Sequence, residues 1–238
     1  MREFAGDANF VDPAALMADP TRARILLSLL DRQSLAMSEL AAEAGVAQST
    51  TSAHLARLVD GDLLTVRSEG LHRYYSLASA DVATALECLA RLSPPFQPNS
   101  LRSYRRSCSL KAARTCYDHA AGDLGVTVME GLLDRGAIAR TGRGSTAYRV
   151  TLAGQEMLGA IKVHDTGGGS SAAVRHCVDW TSDKHHLAGR VGAAILSAFL
   201  AEGWVTQKRD SRILVVGHEG KRAIARWLGM APERLTCS

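Results

Sequence analysis

The stretch that decides the fold is Ser38-Glu-Leu-Ala-Ala-Glu-Ala44 followed, after one glycine, by Val46-Ala-Gln-Ser-Thr-Thr-Ser-Ala-His-Leu-Ala-Arg-Leu58. The first part predicts a short helix with its serine as the N-terminal cap and the glycine at the turn. In the second part Thr51, Leu55 and Leu58 recur at the spacing of one helix face, so we expect that face to pack inward. Two helices joined by so short a turn predict a helix-turn-helix.

The outward face of the second helix indicates a partner. It presents short hydroxyls, methyl groups and one long cation, a surface that can lie close in the major groove of DNA. Ser49 and Thr50 stand at the helix N-terminus, which favours phosphate, and Arg57 can reach a guanine edge or a phosphate. Taken singly, such residues are equally typical of a solvated helix.

A basic hairpin follows the second helix. Residues 63–67 alternate as a strand, a turn containing glycine comes next, and residues 71–77 return. Arg67, His72 and Arg73 lie near the predicted tip, where we expect contact with phosphates or the minor groove. The order helix, turn, helix and cationic hairpin therefore predicts binding to double-stranded DNA.

Three segments resemble the signature segments of the ArsR/SmtB family of winged-helix repressors. They are Ala18-Asp-Pro-Thr-Arg-Ala-Arg-Ile-Leu26, Gln48-Ser-Thr-Thr-Ser-Ala-His-Leu55 and Gly70-Leu-His-Arg-Tyr-Tyr-Ser-Leu77, within about residues 12–92. The resemblance implies a homodimer that represses from an operator and leaves it when an effector binds. Two-fold symmetry implies an inverted-repeat operator. Carried over by position, the DNA-contacting residues are Gln48, Ser49, Thr50, Ser52, His54 and Arg57, together with the hairpin.

Composition argues against other classes. With 5% aromatic residues the chain offers few platforms for stacking single-stranded bases or RNA, and a net charge of +4 is no general signature for polyanions. The sequence has no Gly-x-Ser-x-Gly elbow, phosphate-binding glycine loop or dinucleotide fingerprint, so we predict that it is not an enzyme. The longest nearly apolar run, residues 191–201, is too short to span a bilayer. We expect a cytoplasmic protein with no membrane partner.

These patterns predict a mainly α chain with small β hairpins, an α+β fold. Residues 1–92 are expected to form the winged helix-turn-helix domain for DNA binding and dimerisation. The proline-containing segment 93–99 is a predicted linker, and residues 100–238 a predicted sensing or assembly domain. That domain begins with a basic stretch, residues 101–114, which is expected to be a solvated helix or an additional phosphate contact.

The second predicted domain contains an internal repeat. Arg114-Thr-Cys-Tyr-Asp118 recurs as Arg175-His-Cys-Val-Asp179, and Ala121-Gly-Asp-Leu-Gly125 recurs as Ala188-Gly-Arg-Val-Gly192. We predict two copies, about residues 114–163 and 175–229, each folding as helix, hairpin and helix. A Gly142-Arg-Gly144 turn closes the first hairpin, and Gly167-Gly-Gly-Ser-Ser171 joins the copies. One copy is too small to bury a core well, so the two are expected to pack about a pseudo-two-fold axis.

Each copy begins with residues suited to an effector. The candidates are Cys116, Asp118 and His119 in the first copy and Cys177, Asp179 and His185, with His186 beside it, in the second. Thiolate, imidazole and carboxylate suit zinc or another borderline-soft ion, and thiolates suit trivalent arsenic. Neither copy has the tight spacing of a typical metal motif. A metal or metalloid ion, an organic effector and a purely structural or assembly role all remain open.

Overall fold

The structure is a computed structural model that describes residues 8–94, 97–142, 147–164, 173–209 and 211–235. The chain divides into two compact units, Met1–Leu86 and Glu87–Ser238. Within the described ranges, no helix combines the length and the apolar character that a membrane crossing requires. The predicted joint at residues 167–171 and most of the predicted turn at residues 142–144 lie outside the described residues.

The first unit is a winged helix-turn-helix. Its helices are α1 (Val11–Met17), α2 (Pro20–Asp31), α3 (Met37–Ala44) and α4 (Gln48–Asp60), and its strands are β1 (Leu35–Ala36), β2 (Leu64–Glu69) and β3 (His72–Leu77). The antiparallel sheet has the order β1-β3-β2, so the predicted hairpin is β2–β3 and the short β1 is an addition. Helix α5 (Ala80–Leu92) begins in the first unit and ends in the second.

Helix starts in the first unit follow from local hydrogen bonds. Asp19 caps α2, because its Oδ1 accepts from the backbone N–H groups of Thr21 at 3.0 Å and Arg22 at 2.9 Å. Helix α3 begins before Ser38, so the prediction that Ser38 caps it is wrong. The side chain of Glu39 instead accepts from the backbone N–H of Ala36 at 2.8 Å, which satisfies a group that the helix leaves open.

After the end of α5, the second unit continues with α6 (Leu101–Ala112). Its first half continues with β4 (Arg114–Cys116), β5 (His119–Ala121), α7 (Gly122–Asp134), β6 (Ile138–Arg140), β7 (Tyr148–Val150) and α8 (Leu152–Gly159). Its second half comprises β8 (Ala173–Val178), β9 (His185–Ala188), α9 (Gly189–Ala201), β10 (Val205–Gln207), β11 (Leu214–Val216) and α10 (His218–Leu228), followed by the 3-10 helix Pro232–Leu235. The order hairpin, helix, hairpin, helix thus occurs twice.

The first hairpin of each half was missing from the predicted order of helix, hairpin and helix. Strands β4 and β5 have three residues each, too few to show an alternating pattern. In the structure β4–β5 and β10–β11 form separate pairs, and β6-β7-β8-β9 form one antiparallel sheet that joins the two halves. One hydrophobic core also spans both halves, with Met129 and Leu132 of α7 packed in the same cluster as Phe199 of α9.

Two glycines allow the helices of the second unit to lie against the first hairpins. A Cβ added at Gly125 of α7 would stand 2.3 Å from the carbonyl oxygen of Ala120, and one at Gly192 of α9 would stand 2.7 Å from that of Leu187. The same positions face the opposite half, because the Gly125 Cβ would be 3.3 Å from Cβ of His186 and the Gly192 Cβ 3.0 Å from Cβ of His119. Each helix therefore contacts the histidine of the other half.

Candidate functional site

The outer face of α4 is open to solvent. Thr51, Leu55 and Leu58 are buried, as their spacing predicts. The exposed residues on this helix include most of the predicted DNA contacts, namely Gln48, Ser49, Thr50, Ser52 and Arg57. Hydroxyls at the N-terminal end and a guanidinium near the C-terminal end form a surface of the kind that contacts phosphates and base edges.

His54 is placed differently from the expectation. Its side chain is only 17% exposed, and its Nδ1 lies 3.7 Å from Oδ1 of Asp19, the residue that caps α2. The position falls between those of Thr51 and Leu58 along the helix, at the edge of the inner face. We therefore assign His54 to the packing of α4 on α2 and not to the exposed surface.

The hairpin presents its cations near the turn. Arg67, His72 and Arg73 are exposed, and the β2–β3 register pairs Ser68 with Arg73 and Glu69 with His72. Arg67 is partly neutralised, because its Nη2 lies 3.3 Å from Oε2 of Glu69. Exposed ion pairs of this kind are weak, so the guanidinium remains able to exchange its partner for a phosphate.

Four of the cysteine and histidine side chains of the second unit converge. The ligand atoms of Cys116, His119, Cys177 and His186 all lie within 4.8 Å of one another, and we call these residues the Cys2His2 cluster. Cys116 pairs with His119 across β4–β5, and Cys177 pairs with His186 across β8–β9. Directly opposite residues of a ladder point to the same face, so each hairpin contributes one sulfur and one nitrogen.

The cluster contains buried nitrogen atoms with unmet hydrogen-bonding capacity. His119 is 4% and His186 is 0% exposed. Among the described residues, Nε2 of His119 and both ring nitrogens of His186 find no hydrogen-bond partner. Buried polar atoms are rarely left in this state, because losing water without a replacement costs free energy. Coordination of an ion is one way to satisfy them.

A carboxylate lies behind each histidine. Oδ1 of Asp118 is 2.9 Å from Nδ1 of His119, and Oδ2 of Asp179 is 3.6 Å from Nδ1 of His186. In metal sites a carboxylate at one ring nitrogen fixes the proton there and directs the other nitrogen to the ion. The sequence had suggested Asp118 and Asp179 as ligands, but their oxygens are not among the converging ligand atoms. Asp118 lies within hydrogen-bond distance of His119, whereas Asp179 faces His186 from just beyond that distance.

The sequence predicted His185 as a ligand, but in the structure its neighbour His186 belongs to the Cys2His2 cluster. Successive side chains of a strand point to opposite faces, and Nδ1 of His185 lies 2.9 Å from the Tyr148 hydroxyl, away from the cluster. A sequence signal for His186 was present: counted back from the Ala-Gly pairs at residues 121–122 and 188–189, His119 and His186 occupy the same position.

Arg114 is a functional candidate that sequence reasoning missed. It was grouped with the exposed basic stretch, but it is 0% exposed and its Nη2 lies 2.9 Å from Oδ2 of Asp179. Burial by itself would raise the pKa of Asp179. The positive charge of Arg114 and the hydrogen bonds to the carboxylate outweigh burial, so that the pKa of Asp179 is lowered. The alternation of β4 was the available signal, since Arg114 and Cys116 are two residues apart and share a face.

The two thiols of the cluster differ in acidity. The Cys116 thiol, followed by the imidazoles of His119 and His186, lowers the pKa of Cys177, although burial opposes this. The same contact with Cys177, together with burial, raises the pKa of Cys116. One thiolate is thus favoured before any ion binds, and a divalent cation would displace the proton from the second.

The donor set fits a tetrahedral ion. Bonds of about 2.3 Å to sulfur and about 2.0–2.1 Å to nitrogen place the ligand atoms of a tetrahedral zinc site roughly 3.3–3.8 Å apart. The observed separations of up to 4.8 Å need only a modest contraction to meet that geometry.

Comparisons with known proteins agree with the fold of the first unit and extend over most of the chain. The family described as "Bacterial regulatory protein, arsR family" matches residues 19–66. The chain is 33% identical over 224 residues to YdfF of Bacillus subtilis, described as an uncharacterized HTH-type transcriptional regulator, covering 93% of this chain and 98% of that protein.

Shorter matches involve the DNA-binding unit. The HTH-type transcriptional regulator CmtR of Mycobacterium tuberculosis is 41% identical over 70 residues, which are 29% of this chain and 58% of that protein. Among solved structures, that of the cadmium metal-sensor CMTR from the same organism is 33% identical with a TM-score of 0.32, covering 38% of this chain and 93% of that one. On the family match and the near full-length relative, the chain belongs to the ArsR family of helix-turn-helix transcriptional regulators.

Proposed function

We propose that this regulator is a homodimeric repressor that is released from an inverted-repeat operator when a metal ion binds the Cys2His2 cluster. The observation that supports the metal is the convergence of two sulfurs and two imidazoles with buried nitrogens that lack partners. Its place of action is the cytoplasm, where bacterial DNA lies. This duplicated second unit is then the sensing domain, and it has no catalytic role.

The DNA-binding half of the proposal uses the exposed face of α4 and the hairpin. A dimer with a two-fold axis presents two α4 helices to half-sites about one helical turn apart. The proposed contacts are Gln48, Ser49, Thr50, Ser52 and Arg57 on α4, with Arg67, His72 and Arg73 on the hairpin.

The ligand set favours a four-coordinate divalent ion. Two thiolates and two neutral imidazoles balance a charge of +2 and match the preferences of zinc and of the similar ions cadmium and cobalt. Trivalent arsenic is a poorer match, since it suits thiolates and the cluster offers only Cys116 and Cys177. A four-ligand site also leaves no open position for a substrate, in agreement with a regulator.

The test combines metal binding with DNA binding on the same full-length protein. Cobalt(II) is added under reducing conditions, and its absorption bands report tetrahedral coordination by sulfur and nitrogen. Fluorescence anisotropy then measures affinity for duplex DNA from upstream of the protein's own gene, with and without zinc, cadmium and cobalt. The variants are Cys116→Ala/Cys177→Ala and the matched control Cys88→Ala/Cys108→Ala, whose cysteines are exposed and outside the cluster.

We expect the wild type and the control to show the tetrahedral cobalt spectrum and to lose DNA affinity when the ion is present. The Cys116→Ala/Cys177→Ala variant should bind DNA and ignore the ion. Tight DNA binding that no ion changes in the wild type would refute the metal-controlled repressor. Loss of the response in the exposed-cysteine control as well would place the sensing site elsewhere.

A further inference from the structure

We infer that occupancy of the Cys2His2 cluster is transmitted to helix α5 through a buried chain of three side chains, Asp179, Arg114 and Glu87. The inference deepens the proposed function and rests on it, because it names the route by which the bound ion would change DNA affinity. Arg114 and Glu87 belong to no ligand set, and Glu87 lies on the helix that also extends into the DNA-binding unit.

The contacts from Asp179 through Arg114 to Glu87 are continuous. Oδ2 of Asp179 stands 3.6 Å from Nδ1 of the cluster residue His186 and accepts from Nη2 of Arg114 at 2.9 Å. The same Nη2 lies 3.6 Å from Oε2 of Glu87. One guanidinium nitrogen therefore faces both the carboxylate behind the metal site and the carboxylate of α5. Arg212 Nη1 donates to the other oxygen of Glu87 and completes the ion-pair group.

These three side chains are shielded from water. Arg114 and Asp179 are 0% and Glu87 is 4% exposed. Among the described residues, Oε2 of Glu87 and Nε of Arg114 form no hydrogen bond. Charges in such a place interact strongly, and a buried pair is sensitive to small displacements because no solvent replaces a lost partner. The group is neutral, with two carboxylates and two guanidiniums, but it is not fully satisfied.

Binding at His186 would disturb this balance at one defined atom. When an imidazole coordinates a cation through Nε2, its Nδ1–H becomes a stronger hydrogen-bond donor. An acceptor 3.6 Å away is Oδ2 of Asp179, which already accepts from the backbone N–H of Gly122 at 2.7 Å and from Arg114. If His186 approaches Asp179 more closely, it competes with Arg114 for Oδ2 of that carboxylate. The guanidinium of Arg114 then interacts less with Asp179 and more with Glu87.

Helix α5 is the element that a shift of Arg114 toward Glu87 would displace. It is continuous from Ala80 to Leu92, and its residues through Leu86 belong to the first unit while Glu87 begins the second. A helix moves as a rigid rod, so a displacement of Glu87 is also a displacement of residues in the DNA-binding unit. Coupling of this kind requires an element with two arrangements whose balance the ligand alters, and the incompletely satisfied ion-pair group provides it.

The test separates metal binding from its transmission. Glu87→Gln keeps the shape of the side chain and removes its charge, and Arg114→Lys keeps the charge but removes the planar guanidinium. Glu130→Gln is the matched control, because Glu130 also forms an ion pair, with Lys184 at 2.9 Å, but at the surface. For each full-length protein we would measure zinc affinity by competition with a chromophoric chelator and operator affinity with and without zinc.

The ratio of the two operator affinities is the coupling factor. Coupling factors of roughly 5–150 are typical. We expect Glu87→Gln to lose less zinc affinity than the roughly 10–100-fold typical of a residue directly behind a ligand, because Glu87 pairs with Arg114 and Arg212. Its coupling factor should fall at least fivefold, and Arg114→Lys should lower it as well. The Glu130→Gln control should keep the wild-type factor.

The outcomes distinguish this inference from the proposed function. A wild-type protein that binds zinc with no change in operator affinity would refute the proposed function, and the transmission route with it. A wild-type protein that responds to zinc, with Glu87→Gln and Arg114→Lys responding equally well, would overturn the route alone. Reciprocity supplies an internal check, since operator DNA must weaken zinc binding by the same factor in each variant.

Discussion

Adjacent histidines of β9 provide the sharpest test of the candidate metal site. His186→Ala removes a buried member of the Cys2His2 cluster, whereas His185→Ala removes a side chain on the opposite face of the same strand. The two variants differ by one position in the sequence, lose the same chemical group and lie in the same element. Any general effect of truncating a histidine of this strand should therefore appear in both.

The expected magnitude follows from the number of ligands. Four-ligand zinc sites in small domains have apparent binding free energies of about 10–16 kcal/mol, so one ligand of four is worth roughly 2.5–4 kcal/mol. His186→Ala should weaken zinc binding by roughly 2 to 3 powers of ten on that basis. His185→Ala, which removes a contact with the Tyr148 hydroxyl and no ligand, should change zinc affinity by less than the roughly 10–100-fold typical of a residue directly behind a ligand.

Chelator competition measures the affinities, and the cobalt spectrum reports the coordination. His186→Ala should also lose or alter the tetrahedral cobalt bands, whereas His185→Ala should keep them. Equal losses of zinc affinity in the two variants would refute the assignment of His186 by strand alternation. An unchanged affinity in His186→Ala would show that the ion, if bound, lies elsewhere.

Three further predictions concern other parts of the molecule. Arg57→Ala should weaken operator binding by roughly 1–3 kcal/mol if Arg57 contacts a base; anisotropy on operator and random duplexes checks this, since equal losses would indicate a phosphate contact instead. Asp19→Ala should lower the stability of the first unit by about 0.5–2 kcal/mol at neutral pH, as measured by urea unfolding. The backbone N–H of Arg22 lowers the pKa of Asp19 below 3.8, so this contribution is present above about pH 4 and should vanish as the pH falls through the lowered pKa; an equal cost at pH 3 would contradict it. Gly192→Ala should weaken zinc binding about tenfold or more, because its Cβ would press on the carbonyl of Leu187, next to His186, and on Cβ of His119; Gly159→Ala, whose Cβ would meet nothing closer than 3.9 Å, should not weaken it.

The DNA-binding unit could be predicted because its determinants are local. The inward residues of α4 repeat at helical spacing, and the hairpin strands β2 and β3 have six residues each, long enough to show alternation. The cap at Asp19 is likewise a local feature followed directly by a proline. The partial burial of His54 was not predictable for the complementary reason: its Nδ1 lies 3.7 Å from Asp19, the capping residue before α2, and helical spacing alone does not reveal that proximity.

The Cys2His2 cluster depended on pairings that no local pattern reveals. Cys116 and Cys177 were recognised from the repeat, but the partner histidine of Cys177 lies across a longer hairpin than that of Cys116. Choosing between His185 and His186 required the strand register, and a slip of one residue reverses the face. Arg114 was missed because an arginine near other arginines is ordinarily solvated, whereas here its burial is accompanied by ion pairs with Asp179 and Glu87.

One of the two hairpins that carry the Cys2His2 cluster, β4–β5, is small. Strands β4 and β5 have three residues each, and an antiparallel bridge between Arg114 and Ile213 attaches β4 to the segment before β11. A short two-stranded hairpin is marginally stable by itself. Its position therefore depends on that bridge, on packing against helices α7 and α9, and on the hydrogen bond that the N–H of Gly122, the residue after β5, donates to Oδ2 of Asp179. An ion that joins β4–β5 to β8–β9 would therefore change the balance of a small, underdetermined element, whereas the same ion placed between two rigid helices would have little to move.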